Sequence, residues 1–525
     1  MKVILSGTEA RQKVYDGLHI ACNTVASTLG PQGLNAIIYR GFGIPPVSSR
    51  DGITVCRAID SDDHTLNVGI ELAKNISNKT AQDVGDASTS VLVLLDSIYH
   101  GGLDALKLGA NARAVKRGIE RGVEVAIEHL KTLTIPVSDE MVLQAATISA
   151  NNDPEIGAIV ANAIKAAGKN GIITVEDSTT AETWLDKTDG FEIGAGYVSP
   201  YFVNNPVKME CVLENPLIFV YDKKLGSLQQ FLPLAEQLAK ANRPFLIIAE
   251  AIEGEVAPLL VSNKLKGILD CAAVNCPIVG AMKKEFLTDI AIATGAQAVI
   301  EDLGLSLNEV KLTHLGSAKK VIITRNKTTI IGGNGKPELI QDRITQLQTL
   351  LKGPLSDFER DKLNERLAKF SGGVNIIKVG ASSQIELMET KMRIEDSLLS
   401  TRCAIDEGVV AGGGTALLRC IPPVKVLILT ADEMIGVNVL IEALKAPLSR
   451  ISSNAGFDSQ VVLQTVQEGA DNFGFDALSR TYCDLVEKGV IDSVKVVRTA
   501  LENAASVAAL LLITESVVVN VQEKK

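Results

Sequence analysis

The sequence predicts a multidomain α/β protein in which an α/β domain is inserted into a mostly helical one. A chain of 525 residues has room for about three domains. Amphipathic helical patterns dominate both ends of the chain, whereas apolar strand-like runs alternate with helical segments from about residue 170, as in α/β domains. An insertion, with the chain termini close together, is the simplest explanation of this order.

The composition is that of a folded protein. Hydrophobic residues make up 46% of the chain, which excludes intrinsic disorder. The 52 basic and 62 acidic residues give a net charge of 52 − 62 = −10. This charge argues against nucleic acid as a partner, because proteins that bind nucleic acid present a basic face. Trp184 is the single tryptophan, so a base-stacking platform or an aromatic sugar cleft is not expected.

The cysteines and apolar segments predict a reduced, cytoplasmic protein without a membrane partner. The eight cysteines include no C-x-x-C pair, so we expect buried free thiols rather than disulfides or metal ligands. The N-terminal apolar segment is too short for a signal peptide. The longest apolar run, Val507–Ile513, is far shorter than the ~20 residues that cross a bilayer.

The first 130 residues are predicted to be mainly helical. Apolar residues at a helical spacing define a first helix over Ala10–Leu29, which Gly30-Pro31 ends. Two short strands, Ala36–Tyr39 and Ile53–Val55, are expected next because Gly/Pro-rich turns separate them. Further helices are predicted over Leu66–Asp83, Thr89–His100 and Ala112–Leu133.

The middle of the chain predicts the α/β domain. Its strand-like runs are Ile172–Val175, Leu217–Val220, Phe245–Ile248, Ala272–Val274, Ala298–Ile300 and Val321–Thr324. Two charged amphipathic stretches, Glu338–Lys352 and Ser356–Phe370, are joined by Gly353-Pro354 and predict an αα-hairpin. After Gly372-Gly373 we expect helices to the end of the chain.

No common nucleotide-binding fingerprint is present, but three segments could bind phosphate. The G-x-x-x-x-G-K-[ST] motif does not occur. The segment 28–33 closes the first helix with two glycines, which let the backbone approach an anion. The segment 85–90 places three hydroxyls and a carboxylate before an apolar helix, a pattern that favours phosphate with Mg²⁺. A third segment, 411–414, opens another helix. Each can equally be an ordinary helix cap or turn.

Two acids are candidates for chemistry, although their spacing alone leaves simpler interpretations open. Asp51 lies in an Arg-Asp-Gly sequence and can be a turn former, and Asp396 lies on a predicted helix and can be a solvated surface residue. The five histidines show no metal-ligand spacing. No Ser-His-Asp or Cys-His signature is evident, so nucleophilic catalysis has no support.

In their order and separation these segments resemble the GroEL-type group I chaperonins, and the similarity extends over essentially the whole chain. The blocks that carry it are TLGPQGLN (28–35), RDGITV (50–55), GDASTS (85–90), TISANND (147–153), GIITVED (171–177), GYVSPYFVN (196–204), RPFLIIAE (243–250), RIEDSLLSTRCAIDEGVVAGGG (393–414) and GVIDSVKV (489–496). So many blocks in one order are far more specific than any single motif.

The resemblance implies the multidomain α/β chaperonin fold with three domains. They are a mostly helical equatorial domain (1–131 and 407–525) that carries ATP and most ring contacts, a small intermediate domain (132–188 and 375–406), and an inserted α/β apical domain (189–374). The implied hinge residues are Pro136, Gly408, Gly190 and Gly373.

The resemblance also implies an ATP site with Mg²⁺, and K⁺ is a further candidate ion. The residues implied at the phosphates are Thr28, Leu29, Gly30, Pro31, Ala87, Ser88, Thr89 and Ser90, with Asp86 as the Mg²⁺ ligand. The residues implied at the ribose and nucleoside are Gly413, Asp476, Ala477, Val490 and Asp492. Asp51 and Asp396 would position and activate the attacking water. Because Asp396 would belong to the intermediate domain, hydrolysis would be coupled to domain closure.

For the apical domain the resemblance implies an exposed apolar groove that captures non-native polypeptides. The implied client-binding residues are Tyr197, Tyr201, Phe202, Leu232, Leu234, Ala235, Ala257, Val261 and Ser262. Ala235, Ala257 and Ser262 are smaller than the residues usual in the family, and each Å² of lost apolar contact weakens such a groove by ~25 cal/mol. Whether a lid-like co-chaperonin is needed therefore stays open.

Other departures from the family pattern concern the nucleotide site and the ring. Ala87 replaces a glycine near the phosphates, and Asp476 replaces an asparagine beside the nucleoside. Ser449 and Asp458 stand where the family commonly has an ion pair between rings. This last change predicts a weakened double ring.

The leading hypothesis is an ATP-hydrolysing chaperone that forms sevenfold homo-oligomeric rings and acts on non-native polypeptides. It would act in the cytoplasm, or in a host cytoplasm if the chain is virus-encoded. The alternative is an assembly or scaffold protein that keeps the chaperonin fold but has reduced folding activity. Retention of Asp51, Asp86 and Asp396 favours the first hypothesis, and the eroded apical groove favours the second.

Overall fold

The computed structural model describes residues 2–39, 41, 46–168, 172–178, 180–188, 190–206, 208–278, 280–300, 306–353, 357–371 and 374–520. The chain divides into two compact units. Unit 1 combines both ends of the chain, up to Ala161 and from Ser383, and unit 2 is the continuous segment Asn162–Ser382. Unit 2 is thus inserted into unit 1 along the chain, as the sequence pattern predicts, while the finer division into three domains stays a prediction.

Unit 1 consists mainly of long helices, whereas unit 2 contains both helices and strands. The helices in the described residues are α1 (Gly7–Ala26), α2 (Gly52–Arg57), α3 (His64–Val84), α4 (Ser88–Lys107), α5 (Ala112–Thr132), α6 (Asp139–Ser149), α7 (Pro154–Ala167), α8 (Leu228–Ala241), α9 (Val256–Leu265), α10 (Ala281–Thr294), α11 (Pro337–Leu350), α12 (Asp357–Ser371), α13 (Gln384–Glu407), α14 (Thr415–Arg419), α15 (Ile421–Lys425), α16 (Ala431–Asn454), α17 (Ser459–Glu468) and α18 (Val494–Leu512). The strands are β1 (Lys2–Ser6), β2 (Ala36–Ile38), β3 (Val47–Ser49), β4 (Ile172–Asp177), β5 (Trp184–Thr188), β6 (Gly190–Ile193), β7 (Cys211–Glu214), β8 (Leu217–Val220), β9 (Lys224–Leu225), β10 (Phe245–Ala249), β11 (Ala251–Ile252), β12 (Cys271–Asn275), β13 (Gly316–Ile323), β14 (Thr328–Gly333), β15 (Val374–Val379), β16 (Val409–Ala411), β17 (Phe473–Asp476), β18 (Thr481–Asp484), β19 (Ile491–Ser493) and β20 (Ser516–Asn520).

Unit 1 is a bundle of long helices around one apolar core. Helix α4 is apolar on most of its surface, and its Val91, Leu92 and Leu94 are fully buried, as expected for a central helix. Helices α1 and α3 approach closely because Gly17 has no side chain: a Cβ atom there would lie 1.9 Å from the Leu66 carbonyl oxygen. The bundle is therefore tightly packed where it supports the loops described below.

The first and last strands that the structure describes lie side by side in unit 1. Strands β1 and β20 pair antiparallel, from Lys2 with Asn520 to Ser6 with Ser516. The prediction that the chain ends are close together is confirmed. Three further two-stranded ribbons, β2–β3, β16–β19 and β17–β18, connect the helices of this unit.

Unit 2 contains a seven-stranded mixed sheet and a separate three-stranded sheet. The larger sheet has the order β12-β10-β8-β13-β14-β6, with β7 also paired to β13. Its parallel strands β8 and β10 are buried along their whole length, which explains their uninterrupted apolar sequences. In the smaller sheet β15 lies between β4, to which it is parallel, and β5, to which it is antiparallel.

The predicted αα-hairpin is present as α11 and α12, and ion pairs connect both of its helices to α10. The helical spacing of Ile340, Ile344, Leu347 and Leu351 predicts an apolar stripe on α11, but of these four only Leu347 is buried. Asp289 of α10 is fully buried and accepts hydrogen bonds from Arg343 Nε at 2.8 Å and from Arg366 Nε at 2.6 Å. The Lys369 ammonium lies 4.8 Å from the centroid of the Phe286 ring.

Most of the predicted helices are confirmed within a few residues, and three predictions of secondary structure are wrong. Ile53–Val55 belongs to helix α2 rather than to a strand. Val299 makes one isolated bridge to Tyr221 instead of forming a strand. The chain after residue 373 is not purely helical, since it contains β15 to β20; these strands are short, and all but the hairpin β17–β18 pair with segments distant in sequence.

Two of the implied hinge residues, Gly408 and Gly190, lie where separate chain segments pack closely, although their motion stays a prediction. Gly408 has φ +85° and lies next to the bridge between Ile135 and Val409. A Cβ atom on Gly190 would lie 2.0 Å from Val374 Cγ2. Gly373 lies outside the described residues.

Candidate nucleotide-binding site

Unit 1 contains a large cavity of about 990 Å³. Its wall is built by the end of α1, the β3–α2 and α3–α4 turns, the end of α6, helix α13, and the segments around β16, β17 and β19. All sixteen residues implied at the nucleotide or the attacking water line it: Thr28, Leu29, Gly30, Pro31, Asp51, Asp86, Ala87, Ser88, Thr89, Ser90, Asp396, Gly413, Asp476, Ala477, Val490 and Asp492. Residues spread over more than 460 positions of sequence (492 − 28 = 464) therefore share one cavity.

The turn 28–31 forms one side of the cavity after the end of α1. Gly30 has φ +83°, a conformation that glycine adopts without strain. The Gly33 N–H donates to the Gly30 carbonyl at 3.0 Å. Asn454 Nδ2 donates to the Leu29 carbonyl at 2.9 Å. The backbone of this turn is thus fixed from both sides.

Asp51 is a helix cap as well as a residue of the cavity wall. Its Oδ2 accepts a hydrogen bond from the Thr54 N–H at 2.7 Å, and its Oδ1 accepts one from the Ile53 N–H at 3.4 Å. These bonds start α2 and fix the orientation of the carboxylate. Asp51 therefore has both roles: it caps α2 at a turn, and it lines the cavity.

The turn between α3 and α4 presents a helix N-terminus to the cavity. Gly85 ends α3 with φ +74°, and Ala87 precedes α4 with φ +60°. Asp86 Oδ1 accepts a hydrogen bond from the Ala87 N–H at 2.5 Å. Ser88, Thr89 and Ser90 form the first turn of α4, whose free N–H groups and dipole favour an anion.

Three carboxylates of the cavity wall have raised pKa values. Burial raises the pKa of Asp86. Burial, and after it the charges of Asp51 and Asp86, raise the pKa of Asp396 well above its ordinary value. Burial and the charge of Asp86 raise the pKa of Asp492 to about 7, although a hydrogen bond from the Gly413 N–H lowers it. The folded protein without nucleotide therefore disfavours the ionised form of these three carboxylates.

A bound divalent cation would favour the ionised form of these carboxylates. Mg²⁺ prefers oxygen ligands and commonly combines one or two carboxylates with phosphate oxygens. No group of three His, Cys, Asp or Glu side chains within the described ranges forms a complete metal site. The residues present therefore fit a Mg²⁺ ion that depends on phosphate oxygens as well as on Asp86.

The opposite wall of the cavity is formed by Gly413 and the strand β17. Gly413 has φ +62°, and a Cβ atom there would have only the Phe475 carbonyl oxygen within 4 Å, at 3.8 Å. Asp476 is buried, and its carboxylate accepts hydrogen bonds from the Leu478 N–H at 2.9 Å and from Ser479 Oγ at 2.5 Å. Asp476 is thus tied into its own turn rather than left as an unpaired acid.

Sequence reasoning missed two parts of the cavity wall. Arg50 lines the cavity and donates a hydrogen bond from its guanidinium to the Gly30 carbonyl; its position beside Asp51 was the available signal. An apolar part of the wall is formed by Leu417, Pro447, Ile451 and Phe475. Their sequence contexts carry no signal, because ordinary core positions look the same.

In unit 2 the implied client-binding residues differ in exposure. Tyr201 and Leu232 are 63% and 45% exposed. Tyr197, Ala257, Val261 and Ser262 are half-buried. Phe202, Leu234 and Ala235 are buried in the core of the unit, because Phe202 follows a tight turn into the core and the other two lie on the inner side of α8. These three side chains are not at the surface in this structure, and their role in client binding stays a prediction.

The structure also gives the state of the cysteines and the character of the helices. All eight cysteines are free, and all but Cys483 are buried. Among the helices that the structure describes, none combines the length and apolar character needed to cross a membrane.

The fold is that of a chaperonin. The chain superimposes with a TM-score of 0.71 on the crystal structure of the chaperonin gp146 from the bacteriophage EL 2 (Pseudomonas aeruginosa), determined in the presence of ATP-BeFx. The two share 20% sequence identity, and the match covers 99% of this chain and 100% of that chain. At this level of identity the likeness concerns the fold.

The family follows from the sequence. Residues 22–522 match the model of the TCP-1/cpn60 chaperonin family. The chain therefore belongs to the TCP-1/cpn60 chaperonins, a family whose members bind ATP.

Proposed function

We propose that the chain is an ATP-hydrolysing, ring-forming chaperone that promotes the folding of non-native polypeptides. The observation that carries this proposal is the composition of the cavity in unit 1. Its wall combines the turn 28–31, the N-terminus of α4 and the three acids Asp51, Asp86 and Asp396. Phosphoryl transfer depends mainly on positioning and charge neutralisation, which such a wall is suited to provide.

Different residues of the cavity wall would have different roles in ATP hydrolysis. Asp86 would hold Mg²⁺, which neutralises charge on the phosphates when bound. The hydroxyls of Ser88 and Thr89, with the N–H groups of α4, would bind phosphate oxygens. Asp51, oriented by its bonds to α2, would position the attacking water. Asp396 has a raised pKa and would accept a proton from that water more readily than an ordinary carboxylate. K⁺ is a further candidate ion.

The ATPase proposal is tested with Asp396→Asn, which keeps the shape of the side chain. We expect the rate of phosphate release to fall by about 10²–10⁴-fold while ATP still binds. Glu386→Gln is the matched control, since Glu386 is an exposed acid on the same helix, α13, and does not line the cavity. Hydrolysis by Asp396→Asn at the wild-type rate would show that the role of Asp396 is wrongly assigned.

Client binding is proposed for the apolar surface of unit 2 that includes Tyr201 and Leu232, supported by their exposure. The test is the refolding of a chemically denatured enzyme with ATP, with no second protein added. We expect the wild-type chain to suppress aggregation and raise recovered activity. A Leu232→Ser variant should do so less, whereas Leu510→Ser, which alters an exposed leucine of unit 1 that does not line the cavity, should not differ from wild type.

The alternative is a chaperonin-fold scaffold with reduced folding activity. The burial of Phe202, Leu234 and Ala235 favours it, because it leaves less apolar surface for a client. If the wild-type chain hydrolyses ATP but neither suppresses aggregation nor raises recovered activity, the scaffold function is the correct one. Recovery that appears only after a lid-like co-chaperonin is added would assign that partner to the cycle.

We further propose that the assembly is a sevenfold homo-oligomeric ring in the cytoplasm, of the host if the chain is virus-encoded. The eight free cysteines are consistent with a reducing compartment. Sedimentation with and without ATP measures the particle size, and we expect the double ring to be weakened. A fourteen-subunit particle that stays intact under all conditions would overturn this expectation.

A further inference from the structure

Two side chains of α16 hold the C-terminal end of α1. Arg450 donates from Nη2 to the Asn23 carbonyl at 3.3 Å and from Nε to the Ala26 carbonyl at 3.2 Å. Asn454, one helical turn later, donates from Nδ2 to the carbonyls of Ala26 and Leu29, both at 2.9 Å. The last carbonyls of a helix have no partner within the helix, so side chains commonly satisfy them. Helix α16 thus fixes the point at which α1 ends and the turn 28–31 begins.

The bond from Asn454 to Leu29 also sets the direction of a backbone N–H group. The Leu29 carbonyl and the Gly30 N–H belong to one planar trans peptide group, so they point in opposite directions. Leu29 and Gly30 line the cavity, whereas Asn454 does not. The Gly30 N–H is therefore directed away from Asn454. It has no acceptor among the residues that the structure describes, so it is available to a ligand.

The peptide group between Leu29 and Gly30 depends on Asn454 for its orientation. Gly30 has φ +83°, and glycine adopts φ of either sign, so this peptide group can rotate, as it does between turns of types I and II. The bonds from Arg50 and from the Gly33 N–H reach the Gly30 carbonyl, which belongs to the next peptide group. Within the described ranges, Asn454 is the one donor to the Leu29 carbonyl.

We propose that Asn454 is a positioning residue that orients this peptide group so that the Gly30 N–H donates to a phosphate oxygen of the nucleotide. Both backbone atoms that face Asn454 are carbonyl oxygens, so the side chain must supply a donor, as an amide nitrogen does and a carboxylate cannot. A hydrogen bond from the backbone to a charged phosphate is about twice as strong as one between neutral groups. The inference rests on the proposed ATP-binding function and extends it to a residue outside the cavity wall.

The test measures, by calorimetry, the binding of ADP with Mg²⁺ and of adenosine, which carries no phosphate. Asn454→Asp keeps the shape of the side chain but places a carboxylate oxygen against the two carbonyls. We expect it to weaken ADP binding by about 10–100-fold and adenosine binding by less than about twofold, since only ADP carries the contacted group.

Two further variants separate the lost donor from the added charge. Asn454→Leu removes the donor without adding charge and should show the same selective loss of ADP binding. Ser453→Asp is the matched control, because it adds a carboxylate one residue earlier, at an exposed position that does not line the cavity. It should leave both affinities unchanged.

Three results would overturn the inference. If both variants of Asn454 weaken ADP and adenosine equally, Asn454 only packs α16 against α1. If neither variant changes ADP binding, the orientation of the peptide group does not depend on Asn454. If Asn454→Asp alone weakens ADP binding, the added charge rather than the lost donor is the cause. These outcomes are separate from a failure of the proposed function itself, in which the wild-type chain would bind neither ADP nor adenosine.

Discussion

Gly85 lies directly against the main chain of Asp396. A Cβ atom on Gly85 would be 2.6 Å from the Asp396 carbonyl oxygen and 3.0 Å from the Ser400 nitrogen. Gly85 ends α3, whereas the other two residues lie on α13. The missing side chain at Gly85 therefore lets α13 approach the α3–α4 turn, and this approach brings Asp396 and Asp86 to the same cavity.

The first prediction is that Gly85→Ala damages both stability and the ATP site. The added methyl clashes with α13 and also occupies φ +74°, so we expect a loss of about 2–5 kcal/mol in the free energy of unfolding. ATP hydrolysis should fall because Asp396 is displaced. Gly109→Ala is the control, since Gly109 has φ +93° but no atom within 4 Å of its Cβ position. Equal ATPase rates in the two variants would contradict the positioning role of Gly85.

The fold of unit 1 was predictable from sequence because its long helices carry regular apolar patterns. The predicted helices over 66–83 and 112–133 correspond to α3 and α5 with shifts of at most two residues at each end. The error at Ile53–Val55 has a local cause: β-branched residues suggest a strand, whereas the two N–H bonds to Asp51 start a helix. At this position the helix cap formed by Asp51 outweighs the strand propensity of the β-branched residues.

The candidate site was predictable as a set of residues but not as a geometry. The sequence blocks that resemble the chaperonin family identified residues that line the cavity, because each block contains a short motif that can be recognised by itself. The bond from Arg50 to Gly30 joins positions 20 residues apart, and the burial of Phe202 depends on the packing of unit 2. Both are consequences of tertiary packing, on which a linear pattern carries no information.

The second prediction concerns Ala87, which adopts a left-handed conformation with φ +60°. An alanine in this region is strained by roughly 1–2 kcal/mol, whereas glycine is not. After the entropy of a flexible glycine is subtracted, we expect Ala87→Gly to raise the free energy of unfolding by up to about 1 kcal/mol. Ala105→Gly, in the interior of α4, should lower it instead. A lower thermal midpoint for Ala87→Gly would show that its buried methyl outweighs the strain.

The third prediction concerns the pH dependence of stability. The pKa of Asp492 is about 7, against an ordinary value of 3.8, so the folded, nucleotide-free protein binds more protons than the unfolded chain between these values. The contribution of Asp492 to stability therefore falls as the pH rises from about 4 to about 7. We expect Asp492→Asn to stabilise the protein at pH 8 by on the order of 2–4 kcal/mol and to have little effect at pH 4.

The measurement for Asp492→Asn is the thermal unfolding midpoint at both pH values without nucleotide. Asp471→Asn is the control, because Asp471 is an exposed acid in the same unit and should change neither midpoint. A stabilisation of equal size at pH 4 and pH 8 would point to altered packing rather than to titration of Asp492.

The fourth prediction concerns the ion pairs that hold α11 and α12 in unit 2. The Asp289 side chain is fully buried, while the partners Arg343 and Arg366 are 9% and 14% exposed. Asp289→Ala leaves both guanidinium groups without their buried partner, which costs about 3–5 kcal/mol. Glu285→Ala is the control: Glu285 pairs with the same two arginines, but its side chain is 53% exposed, so we expect a loss of about 1 kcal/mol or less.

Trp184, the single tryptophan, lies in unit 2, so its fluorescence during urea denaturation follows this unit separately from the bundle of unit 1. Equal shifts of the fluorescence midpoint in the two variants would mean that burial of Asp289 adds nothing to the strength of the network.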